Sequence, residues 1–253
     1  MAEQQTRFTT EGLVIKEMNV GESDRLVTLF TRDYGIIRAF ASGAKNIKSK
    51  KGAATSLLTY SSFTILKKKD SYRIYEASPI ALFFELGSDI EILSLSQYFC
   101  ELAYSFGEEN SPNEELLRLI LNSLHFITKK LKDCELIKAI TELRIASICG
   151  YSPNLVACEG CGCFEADIMY FRLEDGSLLC SECNAEKSGI IIDKTLLSAM
   201  RHIVYSDFSK LYSFEIPPEA ARRLSGITEK YITFQTEYHF HTLDFFNSIK
   251  EQI

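Results

Sequence analysis

The chain has 253 residues, of which 46% are hydrophobic and 25% charged, so it can bury a substantial core and is not an intrinsically disordered segment. No run approaches the roughly 20 apolar residues of a membrane span, and the polar start Met1–Thr6, with Glu3 in it, predicts no secretory signal. The formal charge of −6 argues at face value against nucleic acid as a partner.

Taken in chain order, residues 8–80 read as strands. Glu11–Lys16 and Arg25–Thr31 are the first two. Arg32-Asp33-Tyr34-Gly35 makes a turn, with Gly35 free to take a positive φ, and Ile36–Ala41 returns as the third. Leu57–Leu66 and Ser71–Ala77 follow, joined by the tight loop Lys67-Lys68-Lys69-Asp70. Five short strands at this spacing predict a small barrel or sandwich. Between the third and fourth lies a polar Gly/Ser/Lys-rich connection over 42–52.

Beyond residue 80 the hydrophobic period changes to that of helices. Ser111-Pro112-Asn113-Glu114 reads as a capping box with proline at the first helical position. Asp133 and Asp193 can cap two further helices, the second over Lys194–Tyr205. Pro217-Pro218-Glu219 opens another, and Tyr238–Ile249 reads as a terminal helix. The fold class is therefore α+β, with a strand-rich domain over 1–80 and a helical domain over 81–253.

The total charge hides an asymmetry. Residues 1–80 carry 13 Lys+Arg and 8 Asp+Glu, a net of +5, whereas 81–253 carry 15 and 26, a net of −11. Lys45, Lys48, Lys50 and Lys51 lie on the polar connection, and Lys67, Lys68 and Lys69 on the tight turn with Arg73 just beyond. Arg25 and Arg38 lie on or beside strands two and three. Aromatic residues, among them Phe40, Tyr72 and Tyr75, are interleaved. Cationic loops that follow phosphates beside aromatic faces that stack bases are the means by which an oligonucleotide-binding barrel works. Taken singly, each aromatic reads better as barrel filling; taken together, the lysine loops favour phosphate contact.

Five of the eight cysteines fall within 26 residues. Cys158-x-x-Cys161 and Cys180-x-x-Cys183 are separated by eighteen residues, which is the spacing of a structural zinc site. Each pair forms a knuckle, and the stretch between them reads as a hairpin around Glu174-Asp175-Gly176, which together make a zinc ribbon inserted at 156–190. Cys163 is an alternative ligand to Cys161, although knuckle spacing favours Cys161. No histidine lies in the insert, so a closed structural site of four thiolates is expected rather than a catalytic one. No phosphate loop, dinucleotide fingerprint or nucleophile elbow is present, and the histidines His125, His202, His239 and His241 form no base constellation, so no enzyme is expected. Two other classes stay in view: a protein-docking adaptor built on the ribbon and helices, and an enzyme acting on nucleic acid through the metal.

Three features together carry a resemblance. They are Gly21-Glu22-Ser23-Asp24-Arg25-Leu26-Val27-Thr28-Leu29-Phe30-Thr31, then Tyr34-Gly35-Ile36-Ile37-Arg38-Ala39-Phe40-Ala41-Ser42-Gly43-Ala44, and the four-cysteine ribbon within a helical domain. The chain resembles, over essentially its whole length, the RecO family of bacterial recombination mediators and DNA repair proteins. The resemblance implies that the strand domain is a five-stranded OB-fold barrel binding single- and double-stranded DNA. It implies annealing of complementary strands, a RecR-type partner, and loading of recombinase onto strands coated by single-stranded DNA-binding protein (SSB). It implies a cytoplasmic, nucleoid-associated protein with no membrane and no small-molecule substrate. It also implies that the helical domain takes the acidic SSB C-terminal tail, for which Arg118, Lys129, Lys130, Lys132, Arg201, Arg222 and Arg223 are the available cations in an acidic region.

Overall fold

The computed structural model describes residues 6–46, 49, 51–69, 71–83 and 89–250. Packing gathers the chain into two compact units, Met1–Lys129 with His241–Ile253, and Lys130–Phe240. This grouping sets residues 81–129 and the terminal helix with the strands, which the 1–80 and 81–253 division does not.

In the first unit, β1 (Thr6–Val20), β2 (Asp24–Thr31), β3 (Gly35–Ala41), β4 (Thr59–Lys68) and β5 (Ser71–Leu82) close into a barrel of order β1-β2-β3-β5-β4. All pairings are antiparallel except β3 with β5, which meet in parallel at Ala39↔Tyr72 and Phe40↔Arg73. A short helix, α1 (Lys51–Ala54), lies between β3 and β4. This order and this helix are those of an OB-fold, and the barrel resolves the choice between barrel and sandwich. The period-two pattern points Val14, Val27, Leu29, Ile37, Ala39, Phe63, Ile65 and Ile74 into one core. β1 and β5 are longer than the sequence pattern suggests. β1 pairs with β4 through its first half and β2 through its second, with a bulge between Val14 and Lys16 where it bends.

Gly35 takes φ +62, and a Cβ there would collide with the backbone carbonyls of Glu108 and Ser111. Those residues bridge to each other and, through Glu109, to β3. The cap of α3 (Glu114–Thr128) is consequently not Ser111. Asn113 supplies it, its side chain accepting from Leu116 N–H at 3.0 Å, and Pro112 precedes the helix. Ser111 is used by the bridge, so helix geometry starts two residues later. α2 (Ile90–Phe106) packs against β1, against α3 and against the terminal helix α7 (His241–Lys250). α7 begins later than Tyr238 because Glu101 of α2 accepts the N–H groups of His241 and Thr242, at 3.3 and 2.9 Å.

In the second unit, α4 (Cys134–Ile148) packs on α5 (Lys194–Tyr205) and α6 (Pro218–Thr236). The strands β6 (Met169–Phe171), β7 (Leu178–Cys180) and β8 (Ile190–Ile192) form a small sheet of order β7-β6-β8. The hairpin is as expected; β8 is an addition. Asp133 caps α4 and Asp193 caps α5, as the sequence predicts. Asp193 accepts from Leu196 N–H at 3.0 Å and from Arg223 at 2.6 Å. The Leu196 N–H bond holds its carboxyl below the ordinary aspartate range, against the opposing effect of burial and with help from Arg223. That stabilisation is present above the unfolded pKa of about 3.9 and is lost as pH falls through the lower folded value. Asp193→Ala is expected to cost about 1 kcal/mol at neutral pH in urea unfolding, and to cost progressively less in acid.

Candidate nucleic-acid interface and metal centre

Register around the barrel decides which side chains share its outer surface. Val27, Leu29, Ile37 and Ala39 point inward, so Leu26, Thr28, Arg38 and Phe40 point outward. Cross-strand partners then form rows. Lys16, Thr28 and Arg38 form one; Met18, Leu26, Phe40 and Arg73 form the next. The row before these, Leu13, Phe30 and Ile36, is buried. Where burial ends stands Tyr104 of α2. Its hydroxyl accepts from Arg38 Nη2 at 2.6 Å, and Lys16 Nζ sits 3.4 Å from its ring centroid.

The outcome is an open half-face on β1, β2, β3 and the start of β5. It carries exposed cations at Lys16, Arg38 and Arg73 around the half-buried Phe40 and the exposed Met18. The loop from β1 to β2 and the turn from β4 to β5 flank strands two and three in an OB-fold, and these are its usual oligonucleotide-contacting elements. Here the second of them is the lysine turn. Lys67, Lys68 and Lys69 are exposed, Lys67 Nζ lies 5.3 Å from the Tyr72 ring, and Lys69 takes φ +52. Lys45 is exposed beside the first loop, its N–H donating to Ser23 O at 3.0 Å.

Other predicted cations lie elsewhere. Arg25 is occupied within the fold: its Nη1 donates to Gly52 O and Ser56 Oγ, each at 3.0 Å, and lies 3.6 Å from Glu17. It holds the α1 segment rather than facing outward with Arg38. Lys51 Nζ donates to Ile74 O at 3.2 Å, on the far edge of β5. Lys48 and Lys50 fall outside the described residues, as does Asp70 of the lysine turn. Of the aromatics, Phe30 and Phe63 are buried, and Tyr34 and Tyr72 pack with Phe8. Sequence reading missed Lys16 and Tyr104. Lys16 could have been found by carrying the strand pairing past the bulge; Tyr104 could not, because it arrives from a helix.

The four cysteines converge. Cys158, Cys161, Cys180 and Cys183 place their Sγ atoms all within 4.8 Å of one another. Cys161 and Cys180 Sγ are 3.7 Å apart. A tetrahedron of sulfurs about 2.3 Å from a zinc ion has edges of about 3.8 Å, so the donor set fits. The knuckles are held by backbone: Cys158 N–H donates to Cys163 O at 2.8 Å, Cys180 N–H to Cys158 Sγ at 3.3 Å, and Cys183 N–H to Cys180 O at 3.1 Å. A Cβ on Gly160 would press against Cys183. Cys163 is not a member of the cluster; its thiol donates to Glu165 O at 3.0 Å.

The electrostatics suit a cation. Burial pushes the Cys158 thiol up, but N–H donors of Cys180, Cys161 and Gly160 outweigh it and bring the group down to about 6. Cys183 is pushed up to about 12, chiefly by hydrogen bonding with Cys161. Four sulfurs held this close cannot all carry charge without a counter-ion, and a metal ion can supply it.

At least three of the seven cations available to an acidic tail are engaged within the fold. Arg201 donates to Leu155 O, Val156 O and Phe164 O, Lys132 to Phe214 O at 2.9 Å, and Arg223 to Asp193. Among the described residues no helix is long and apolar enough to cross a membrane.

Comparison with known proteins agrees with this architecture. A family model described as Recombination protein O N terminal matches residues 3–83, and one described as Recombination protein O C terminal matches 87–244. A DNA repair protein RecO of Acetivibrio thermocellus is 34% identical over 95% of this chain and 96% of its own length. The protein of the same name from Caldicellulosiruptor bescii is 33% identical over 95% of this chain and 98% of its own. An OB barrel, a four-cysteine ribbon among helices and matches along nearly the whole length lead to one assignment: the chain belongs to the RecO family of DNA repair and recombination proteins.

Proposed function

We propose that this protein is a non-enzymatic recombination mediator. In this reading it binds single- and double-stranded DNA on its barrel, anneals complementary strands and helps load a recombinase onto SSB-coated strands with a RecR-type partner. The observation that carries it is the open half-face on β1, β2, β3 and the start of β5, where Lys16, Arg38 and Arg73 surround Phe40 beside the lysine turn. Phosphates would run along Arg38, Arg73, Lys45 and Lys67–Lys69. Arg25 would act indirectly, by fixing the α1 segment. Lys48 and Lys50, which lie outside the described residues, and Lys51 belong to the same proposed set of DNA-contacting cations. Cytoplasmic, nucleoid-associated residence follows from the same reading.

The metal would be zinc, held by Cys158, Cys161, Cys180 and Cys183 in a structural role. The ribbon would face proteins, since residues 156–190 hold two basic and seven acidic residues and repel a phosphate backbone. An SSB tail would have to meet an outward-facing cation such as Arg222.

Single-strand binding of the wild type and of Arg38→Glu/Arg73→Glu, titrated at two salt concentrations, tests the assignment. The variant should bind at least roughly tenfold more weakly, with a salt slope smaller by about 0.7 for each phosphate it no longer neutralises. An unchanged affinity and slope would remove the half-face from the argument. The adaptor reading has one observation in its favour: Val156, Phe164, Ile168 and Ile191 of the ribbon region are exposed apolar residues. Wild-type protein that binds no DNA even at low salt would favour that reading.

A further inference from the structure

The outward row that carries Phe40 and Arg73 does not end at β5. Arg73 pairs with Leu66 of β4, and Leu66 with Arg7 of β1, so the row continues around the barrel. One step further along β5 stands Tyr75, 48% exposed, with the Arg7 guanidinium 4.5 Å from its ring centroid. Tyr75 borders a groove of about 760 Å³ on the outer surface of β4 and β5, lined also by Ser62, Thr64, Glu76 and Lys51. β3 meets β5 only at Tyr72 and Arg73, so beyond those residues this strand has β4 alone as a strand partner.

Its chemistry selects the ligand. Glu76 sits 3.8 Å from Arg7, and Lys51 Nζ is turned to the carbonyl of Ile74. Among the described residues that line it, Glu76 and Lys51 offset each other, and the Arg7 guanidinium is held against Glu76 and the Tyr75 ring, so the groove presents no cluster of cations to a phosphate. It offers instead an aromatic face, the hydroxyls of Ser49, Ser62, Thr64 and Ser78, a carboxylate acceptor and an ammonium donor. That is the equipment for the flat, uncharged, hydrogen-bonding edge of a nucleobase. A guanidinium against one side of the tyrosine ring limits its motion and leaves the other side for stacking.

We propose that Tyr75, backed by Arg7, is a stacking platform for an unpaired base of a single strand whose phosphates run past Arg73. The inference rests on the DNA-binding reading above and makes a narrower claim: this position senses bases, not charge. Duplex, whose bases are already stacked, gains nothing from it.

The test compares Tyr75→Ala, Tyr75→Phe and wild type on three oligonucleotides of equal length: a single strand, the same strand made abasic throughout, and a duplex. Tyr75→Ala should weaken single-strand binding about tenfold, in line with the cost of losing one base–aromatic stack. It should leave abasic and duplex binding within about twofold, and Tyr75→Phe should behave as wild type. Equal single-strand affinity of Tyr75→Ala and wild type would overturn the platform, as would an equal loss on the abasic strand. Either result leaves DNA binding by the barrel intact. Wild type that binds none of the three would overturn the DNA-binding reading, and the platform with it. The side chain is half exposed, and circular dichroism of Tyr75→Ala matching wild type separates lost stacking from lost fold.

Discussion

Cys180→Ser is expected to release the metal and unfold the ribbon, with the largest loss of stability of any single substitution in the second unit. Purified wild type should carry about one zinc ion per chain, and the variant well under half of that. The reason lies in how little else holds the insert. Its strands β6, β7 and β8 are three residues each, too short for a sheet to persist on ladder bonds alone. Binding free energy at structural zinc sites is about 10–16 kcal/mol in small metal-dependent domains, and much of it is folding free energy. Cys180 holds a double position. Its N–H donates to Cys158 Sγ while its carbonyl accepts from Cys183 and Asn184 N–H, so it ties one knuckle to the other. Limited proteolysis should cut the variant between residues 156 and 190 under conditions that leave wild type whole. Cys163→Ser, which alters a thiol outside the cluster, should keep its metal and its protease resistance. Metal retained in Cys180→Ser, or lost in Cys163→Ser, would show that the ligand set is wrong.

Lys138→Met is expected to destabilise the second unit by about 3–5 kcal/mol, a large share of the 5–15 kcal/mol typical of a folded domain. Lys138 is 1% exposed in its side chain and Glu142 0%, yet both carry ionisable groups. The ammonium lies 3.0 Å from Glu142 Oε1 and 2.7 Å from Glu229 Oε2, and donates to Ser225 as well. Thr228 Oγ1 donates to Glu142 at 2.6 Å. This network is the polar centre of the α4–α6 packing. Removing the ammonium strands the buried Glu142 carboxylate, and the partly exposed Glu229 beside it, without a counter-charge, which costs far more than the intact pair contributes. Lys138→Met/Glu142→Leu should therefore recover much of the loss in urea denaturation. A Lys138→Met midpoint equal to wild type would show that apolar contacts alone hold α4 to α6.

The same network has a pH signature. Burial raises the Glu142 pKa, with Lys138 and the Thr228 hydroxyl opposing it. A raised folded pKa means that the native state binds more protons than the unfolded chain between the ordinary glutamate value of about 4.3 and the folded value. Glu142 thus contributes most at pH below that window, and its contribution declines as pH rises through it. In Lys138→Met the opposing charge is gone, so the window should extend further upward.

These two sites differ in how far the sequence reveals them. The metal ligands are legible because a C-x-x-C knuckle is a local object and two of them at ribbon spacing leave few alternatives. The helix caps at Asp133 and Asp193 are legible for the same reason: a cap depends on three or four consecutive residues. Lys138 and Glu142 are not. Four apart on a helix, they read as an ordinary solvent-facing ion pair, and only the packing of α6 over them makes them interior. Ser111 misleads in the opposite way. Its local pattern is a good cap, but a bridge to Glu108 uses the residue, and Asn113 caps instead.

Hydrophobic period, turn residues and knuckle spacing are short-range properties of the chain, so the fold class, the five strands and the four thiols are legible in the sequence. It also showed that the basic residues gather in the first 80. Tertiary structure decided where that charge lies. Counted by compact unit, the barrel-bearing part holds 16 basic and 18 acidic residues and the other 12 and 16, so both are acidic. The positive surface belongs to a few rows of one barrel face. Strand register turned Lys16, Arg38 and Arg73 onto that face and Arg25 inward, and a helix from beyond residue 80 delivered Tyr104 to its edge. Register between distant strands is set by closure of the barrel, a long-range condition that no window along the chain contains.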